Sequence, residues 1–183
     1  VYESVDRVFE GSISYNDDIQ TQKPGILISH AYGGCSEFEI RKAEGLAELG
    51  YVGFAIDLYG QGRRGSSPEE STALMIELDG DRGLLSKRIN HSLSLLKEQK
   101  EVDSSKTAAV GFCFGGKCVL DLARSGADIN GIISFHGIYD KPNIENKSPK
   151  YYKDNNLKFI GGDINFKAAQ YLANKVCESL NVS

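Results

Sequence analysis

Thr107-Ala108-Ala109-Val110-Gly111-Phe112-Cys113-Phe114-Gly115-Gly116 is the stretch on which the reading of this chain turns. An apolar, β-like segment runs straight into Gly-x-Cys-x-Gly-Gly, and a helical pattern follows as far as Arg124. This is the nucleophile-elbow pattern G-x-S-x-G with cysteine in place of serine. A side chain on a sharp strand-to-helix turn needs very small neighbours two residues before and two after, and Gly111 and Gly115 supply them. Such a turn lifts Cys113 to the top of a sheet and leaves the backbone N–H of Phe114 free to stabilise an oxyanion. The plainer reading of Cys113, a buried core thiol, does not account for the flanking glycines.

Outward from this stretch the pattern alternates. Residues 7 to 15 read as a weak strand pair around Gly11. Lys23-Pro24-Gly25 reads as a turn before a buried strand, Ile26 to His30. Ser36 to Leu49 has helical spacing, with Ser36 and Glu39 placed as a capping box and Gly50 as the stop. Tyr51 to Asp57 is a second buried strand, and Gly60 to Glu70 a Gly/Arg/Ser-rich loop. Asp81 to Lys97 is an amphipathic helix carrying Leu85, Ile89, Leu93 and Leu96 on one face. Thr107 to Phe112 and Gly131 to His136 are further strands, and Phe166 to Leu180 is again helical. Strands alternating with helices predict an α/β domain with a mostly parallel sheet and helices on both faces. Active sites of such sheets lie at the carboxyl ends of the strands. His30 to Gly34, Asp57 to Gly60, Cys113 and His136-Gly137 are therefore expected to converge.

Composition narrows the function classes. The 183 residues suit one domain, and 40% apolar residues suffice for a core. A formal charge of -4 gives no electrostatic footprint for nucleic acid. No apolar run approaches membrane-spanning length and no signal peptide is visible. The four cysteines, Cys35, Cys113, Cys118 and Cys177, lack metal-ligand spacing. The expectation is a cytoplasmic protein without a metal site, with its oligomeric state open.

Together the segments resemble the dienelactone hydrolase family of α/β-hydrolases. The resemblance rests on Pro24 to His30 with Gly34, Leu46 to Val52, Asp57-Leu58-Tyr59-Gly60 and Gly111 to Gly116, and runs from about Pro24 to Pro142. It implies Cys113 as a nucleophile toward an ester or lactone carbonyl of a small-molecule substrate. It also implies an oxyanion hole from the backbone N–H groups of Phe114 and Tyr32, and no cofactor. Two departures accompany it. Many members carry Glu directly after the first core strand, where this chain has Ala31. The family's triad Asp, within an H-G-x-x-D segment after a strand, and its later His are read as lacking here. About two β–α units, roughly 60 residues, are read as absent or unseen near 143–156, within a single α/β-hydrolase domain over 1–183.

Other residues carry plainer readings. His30 and His136 read as satisfied core or rim histidines, with recruitment as a base left open, and His91 as solvent-exposed. Asp57 reads as a structural hydrogen-bonding residue, Cys118 as core, and Arg82 as part of a helix start. Arg63-Arg64 read equally as a solvated loop or as an attractor of a substrate carboxylate. Two rival functions remain. One is an inactive α/β-hydrolase shell that binds a ligand or senses oxidants through Cys113. The other is a nucleotide site, because Gly111 to Lys117 also fits the G-x-x-x-x-G-K frame. Cys118 in the Ser/Thr position and two phenylalanines in the loop count against that frame.

Overall fold

The computed structural model describes residues 1–4, 6–18, 21–138 and 140, and the backbone of 158–162. Eight strands and four helices occur among them. They are β1 (Tyr2–Ser4), β2 (Arg7–Phe9), β3 (Ser12–Ser14), β4 (Lys23–Ser29), α1 (Glu37–Glu48), β5 (Val52–Ile56), α2 (Pro68–Asp79), α3 (Arg82–Lys97), β6 (Val102–Phe112), α4 (Phe114–Arg124), β7 (Gly131–Phe135) and β8 (Lys158–Gly162).

Six strands form one sheet in the order β3-β5-β4-β6-β7-β8. Only β3 runs antiparallel, on its edge against β5; every other pairing in this sheet is parallel. The strands β5 and β7, β4 from Pro24 and β6 from Ala108 are largely apolar, as strand segments covered on both faces must be, whereas the first half of β6, Asp103 to Lys106, is polar. One face packs Leu27, Phe54, Ile56, Ala109 and Ile132 against α3 and α4, through Leu85, Ile89, Leu96 and Leu122. The other packs Ile28, Ala55, Val110 and Phe112 against α1 through Ala43 and Ile40. The register sets Ser29 beside Ile56 and Gly111, and Phe112 beside Phe135. The carboxyl ends of β4, β5, β6 and β7 therefore lie along one edge of the sheet, as their pattern predicts.

Three readings need correction. The segment around Gly11 is not a hairpin: β2 pairs with β1 in a separate two-stranded sheet, while β3 joins β5. Lys23-Pro24-Gly25 is not a turn but the start of β4. Pro24 is tolerated there because the pairing with β6 shifts register between Pro24 and Gly25. The loop after Gly60 ends at Ser67, whose hydroxyl caps α2 with Pro68 in its first turn. Beyond β7 the sheet continues into β8. Residues 143–156, the helix expected over 166–180 and Cys177 lie outside the described residues. Among the described residues no helix is long and apolar enough to cross a membrane.

Candidate active site

Cys113 occupies the turn between β6 and α4 with φ 54° and ψ −117°. A non-glycine residue rarely adopts positive φ, and where one does the surrounding structure must hold it there. Its N–H donates to the carbonyl of Phe135 on β7 at 2.9 Å, and its carbonyl accepts from Gly116 at 3.0 Å. The glycines make the turn sterically feasible. A Cβ on Gly111 would lie 2.0 Å from the Gly115 carbonyl oxygen, and one on Gly115 would lie 2.3 Å from that of Ser29. Cys113 is half-buried, whereas Cys35 and Cys118 are buried. Burial pushes the Cys35 thiol up to about 12 and raises that of Cys118 as well. Of the three, Cys113 is the thiol that solvent can reach.

Phe114 opens α4 directly after the cysteine, and no side chain caps that end of the helix. Its N–H is one of the donors that a helix start leaves without an intrahelical partner. Across the edge, the loop after β4 carries Tyr32, which is exposed. That loop is held from several sides. The Tyr59 hydroxyl donates to the Tyr32 carbonyl at 2.9 Å. Gly65 N–H donates to the Gly33 carbonyl at 3.0 Å, and Arg64 Nε donates to the Cys35 carbonyl. Glu39, buried on α1, completes the predicted capping box with Ser36 and also accepts from Ala31 N–H at 3.4 Å. Phe112 and Phe135 stack at 4.9 Å between ring centroids, and Phe38 meets Phe112 edge-on at 5.1 Å. Phe38 on α1, Phe112 at the end of β6 and Phe135 at the end of β7 thus form an aromatic wall on the α1 face of the sheet.

The remaining candidates sort themselves by partner. His30 is fully buried with both ring nitrogens engaged: Nδ1 with the Ala31 carbonyl at 2.7 Å, Nε2 with Leu58 N–H at 3.1 Å. Both contacts are to backbone, as the reading of His30 as a satisfied core histidine expects. His136 directly follows β7 with φ 42° and is exposed. His91, expected in solvent, is half-buried instead, because its Nε2 meets the Glu3 carbonyl at 3.0 Å under the β1–β2 sheet. Asp57 is structural: its carboxylate accepts from Tyr59, Gly60 and Glu10 N–H groups. Arg63 is clamped by Glu77 at 2.6 and 3.0 Å, so Arg63 and Arg64 are both engaged by the protein itself.

The reading that no H-G-x-x-D segment follows the fourth strand is corrected by the chain itself: His136-Gly137-Ile138-Tyr139-Asp140 has that spacing. Asp140, however, is paired with Arg82 at 3.0 Å and Lys117 at 3.0 Å. These cations hold its carboxyl below the usual carboxylate range against the effect of burial. Asp140 thus belongs to an ion cluster, completed by Asp79, Asp121 and Arg124, under α4. The same cluster removes the nucleotide reading, since Lys117 Nζ is buried against Asp79 and Asp140 rather than turned toward the elbow loop. What sequence reasoning missed is the holding of the loop after β4: the partners of His30, Glu39 and Tyr59 are set by contacts the local pattern does not contain.

The profile of the dienelactone hydrolase family matches residues 9–176. The chain belongs to this family. Its structure superposes on the solved protein m3DLH with a TM-score of 0.74 and 28% identity, covering 95% of this chain and 72% of that one. A dienelactone hydrolase-like promiscuous phosphotriesterase, P91, from metagenomic libraries gives 0.72 with 24% identity over 95% and 72% of the two chains. A dienelactone hydrolase from Anabaena variabilis gives 0.61 with 18% identity over 93% and 91%. The last two establish likeness of fold, that of the α/β-hydrolases. An uncharacterized protein of Caenorhabditis elegans is 40% identical over 82 residues, 44% of this chain and 51% of that protein. The chain therefore spans about half the length of that curated relative.

Proposed function

We propose that this dienelactone hydrolase family member hydrolyses a small carboxylic ester or lactone with Cys113 as nucleophile. The observation that carries the proposal is the positive-φ turn, which sets a half-buried thiol at the carboxyl edge of a parallel sheet and at the start of α4. The Cys113 thiolate attacks the substrate carbonyl carbon. The carbonyl π electrons move to oxygen, and the oxyanion is met by the N–H groups of Phe114 and Tyr32. Collapse re-forms the carbonyl, expels the alkoxide, which takes up a proton, and leaves a thioester on Cys113. Water then cleaves the thioester to the acid and regenerates the thiol. The backbone donors suit this chemistry because they are fixed in place before charge develops. The aromatic wall of Phe38, Phe112 and Phe135 favours an apolar acyl or alkyl group beside the thiol.

The test uses p-nitrophenyl butyrate and mass spectrometry of the intact protein. Cys113→Ala is expected to remove hydrolysis by roughly 100-fold or more, and Cys113→Ser to retain little, because a hydroxyl depends on base activation more than a thiol does. A butyryl adduct on the cysteine should be trapped by acid quench. Full hydrolysis by Cys113→Ala would discard the proposal.

A further inference from the structure

We infer that His30 is the positioning residue for the Tyr32 N–H, working as a neutral imidazole with its proton on Nδ1. The inference rests on the reading of Tyr32 as an oxyanion donor. Its geometry is independent of that reading. Leu58 N–H is only a donor, so the nitrogen it meets at 3.1 Å, Nε2 of His30, must present its lone pair. The ring proton is then on Nδ1, and Nδ1–H donates to the Ala31 carbonyl at 2.7 Å. That carbonyl belongs to the same peptide unit as Tyr32 N–H. In a trans peptide the C=O and the N–H point in opposite directions, and this chain has no cis peptide among the described residues. Fixing the Ala31 oxygen toward His30 therefore aims the Tyr32 N–H away from it.

The carbonyl is held a second time, by Gly34 N–H at 3.2 Å. The far end of the same residue is held by the Tyr59 hydroxyl on the Tyr32 carbonyl. Tyr59 also packs its ring edge-on against His30 at 4.6 Å and stacks at 6.2 Å on Phe114, the other proposed donor. His30 thus couples the loop after β4 to the turn after β5, where Asp57 caps the next two N–H groups. A second ring proton would set an Nε2–H against the Leu58 N–H and break this connection. The charged groups around the ring are Asp57, Glu39 and Arg64, and full burial keeps the ring neutral among them.

The experiment has two arms. The first records long-range ¹H–¹⁵N spectra of the full chain labelled at its three histidines, with His30 assigned by the His30→Asn variant. A neutral ring protonated on Nδ1 at pH 7 is expected; a ring protonated on Nε2, or on both nitrogens, overturns the inference. The second arm measures p-nitrophenyl butyrate hydrolysis and the rate of Cys113 alkylation by iodoacetamide, which forms no oxyanion. His30→Gln, whose amide oxygen can reach Leu58 but which loses the Nδ1 donor, should lower kcat tenfold or more with KM nearly unchanged. Its alkylation rate should match that of the parent. His30→Asn, which keeps a donor in the Nδ1 position, should recover part of kcat. Unchanged kcat in His30→Gln, or alkylation slowed as much as hydrolysis, overturns the inference, the latter because His30 would then act on the thiol. Hydrolysis that survives in Cys113→Ala would instead overturn the parent reading of the nucleophile, with the spectra still deciding the state of the His30 ring. A variant that fails to fold leaves the decision to the spectra of the parent protein.

Discussion

At Gly111 a single methyl group is enough to test the elbow. Its Cβ would sit 2.0 Å from the Gly115 oxygen and 2.7 Å from Gly116 nitrogen, all backbone atoms that no rotamer change can move away. Gly111→Ala is expected to cost about 3 kcal/mol or more, beyond ordinary overpacking, because the turn itself must shift. Hydrolysis should fall with it. Gly45 is the control: it lies within α1 with nothing within 4 Å of its Cβ position. Gly45→Ala should therefore stabilise by about 0.5–1 kcal/mol, the usual helix difference between the two residues. Urea unfolding of both variants checks the pair. This contrast also marks what could be read in advance at the residue scale. The glycines around Cys113 announce their purpose because a close approach admits no other side chain. His30 announces nothing, since the same residue serves as base or as strut. Only the Leu58 N–H, 28 positions away, decides which.

At the scale of elements, caps and stripes were legible and partners were not. The Ser36–Glu39 capping box and the Leu85, Ile89, Leu93, Leu96 face are local patterns, and both stand as read. Helix α2 escaped because its apolar residues run consecutively from Ala73 to Ile76 instead of at helical spacing, and only Ser71 and Leu78 are buried. Its usable signals were Ser67, Pro68 and the two acidic residues after them. The cluster binding α2, α3 and α4 was beyond sequence reading, because Arg82, Asp121 and Lys117 are charged residues in places where charge normally faces water. Asp121 is fully buried and Arg82 is nearly so, with 2.6 Å between them. Arg82→Met should cost about 3 kcal/mol, since it leaves a buried carboxylate with Arg124 alone on the same helix. Removing the exposed Arg41–Glu37 pair by Arg41→Ala should cost less than about 0.5 kcal/mol. Equal losses in urea unfolding would contradict this account of the cluster.

For the whole molecule, the parallel sheet followed from the alternation of strands and helices. Strand order and the edge position of β3 did not, because crossovers between non-consecutive strands leave no local mark. The way the sheet edges are held makes the fold sensitive to acid in two separate ranges. His30 ties β4 to the turn after β5, and burial lowers its pKa; the hydrogen bond to the Ala31 carbonyl, then Asp57 and Glu39, oppose that shift without reversing it. In the unfolded chain the imidazole titrates near about pH 6.5. Below that pH the unfolded state binds a proton that the folded state refuses, so stability declines as pH falls. Asp6 joins the segment between β1 and β2 to Arg88 on α3, and its hydrogen bonds to Arg88 and Arg7 lower its pKa. Its contribution is present above the ordinary carboxylate value and is lost as pH falls through the folded value. The urea midpoint should therefore hold steady from pH 8 to about 7 and begin to fall below about 6.5. A further fall belongs to the carboxylate range. His30→Asn should start lower at pH 7.5 but decline less between pH 6.5 and 5, since it has no ring left to protonate. Asp6→Asn should keep that first decline and weaken the one at lower pH. Parallel pH profiles for the parent and His30→Asn would show that His30 is not what makes the fold lose stability below pH 6.5.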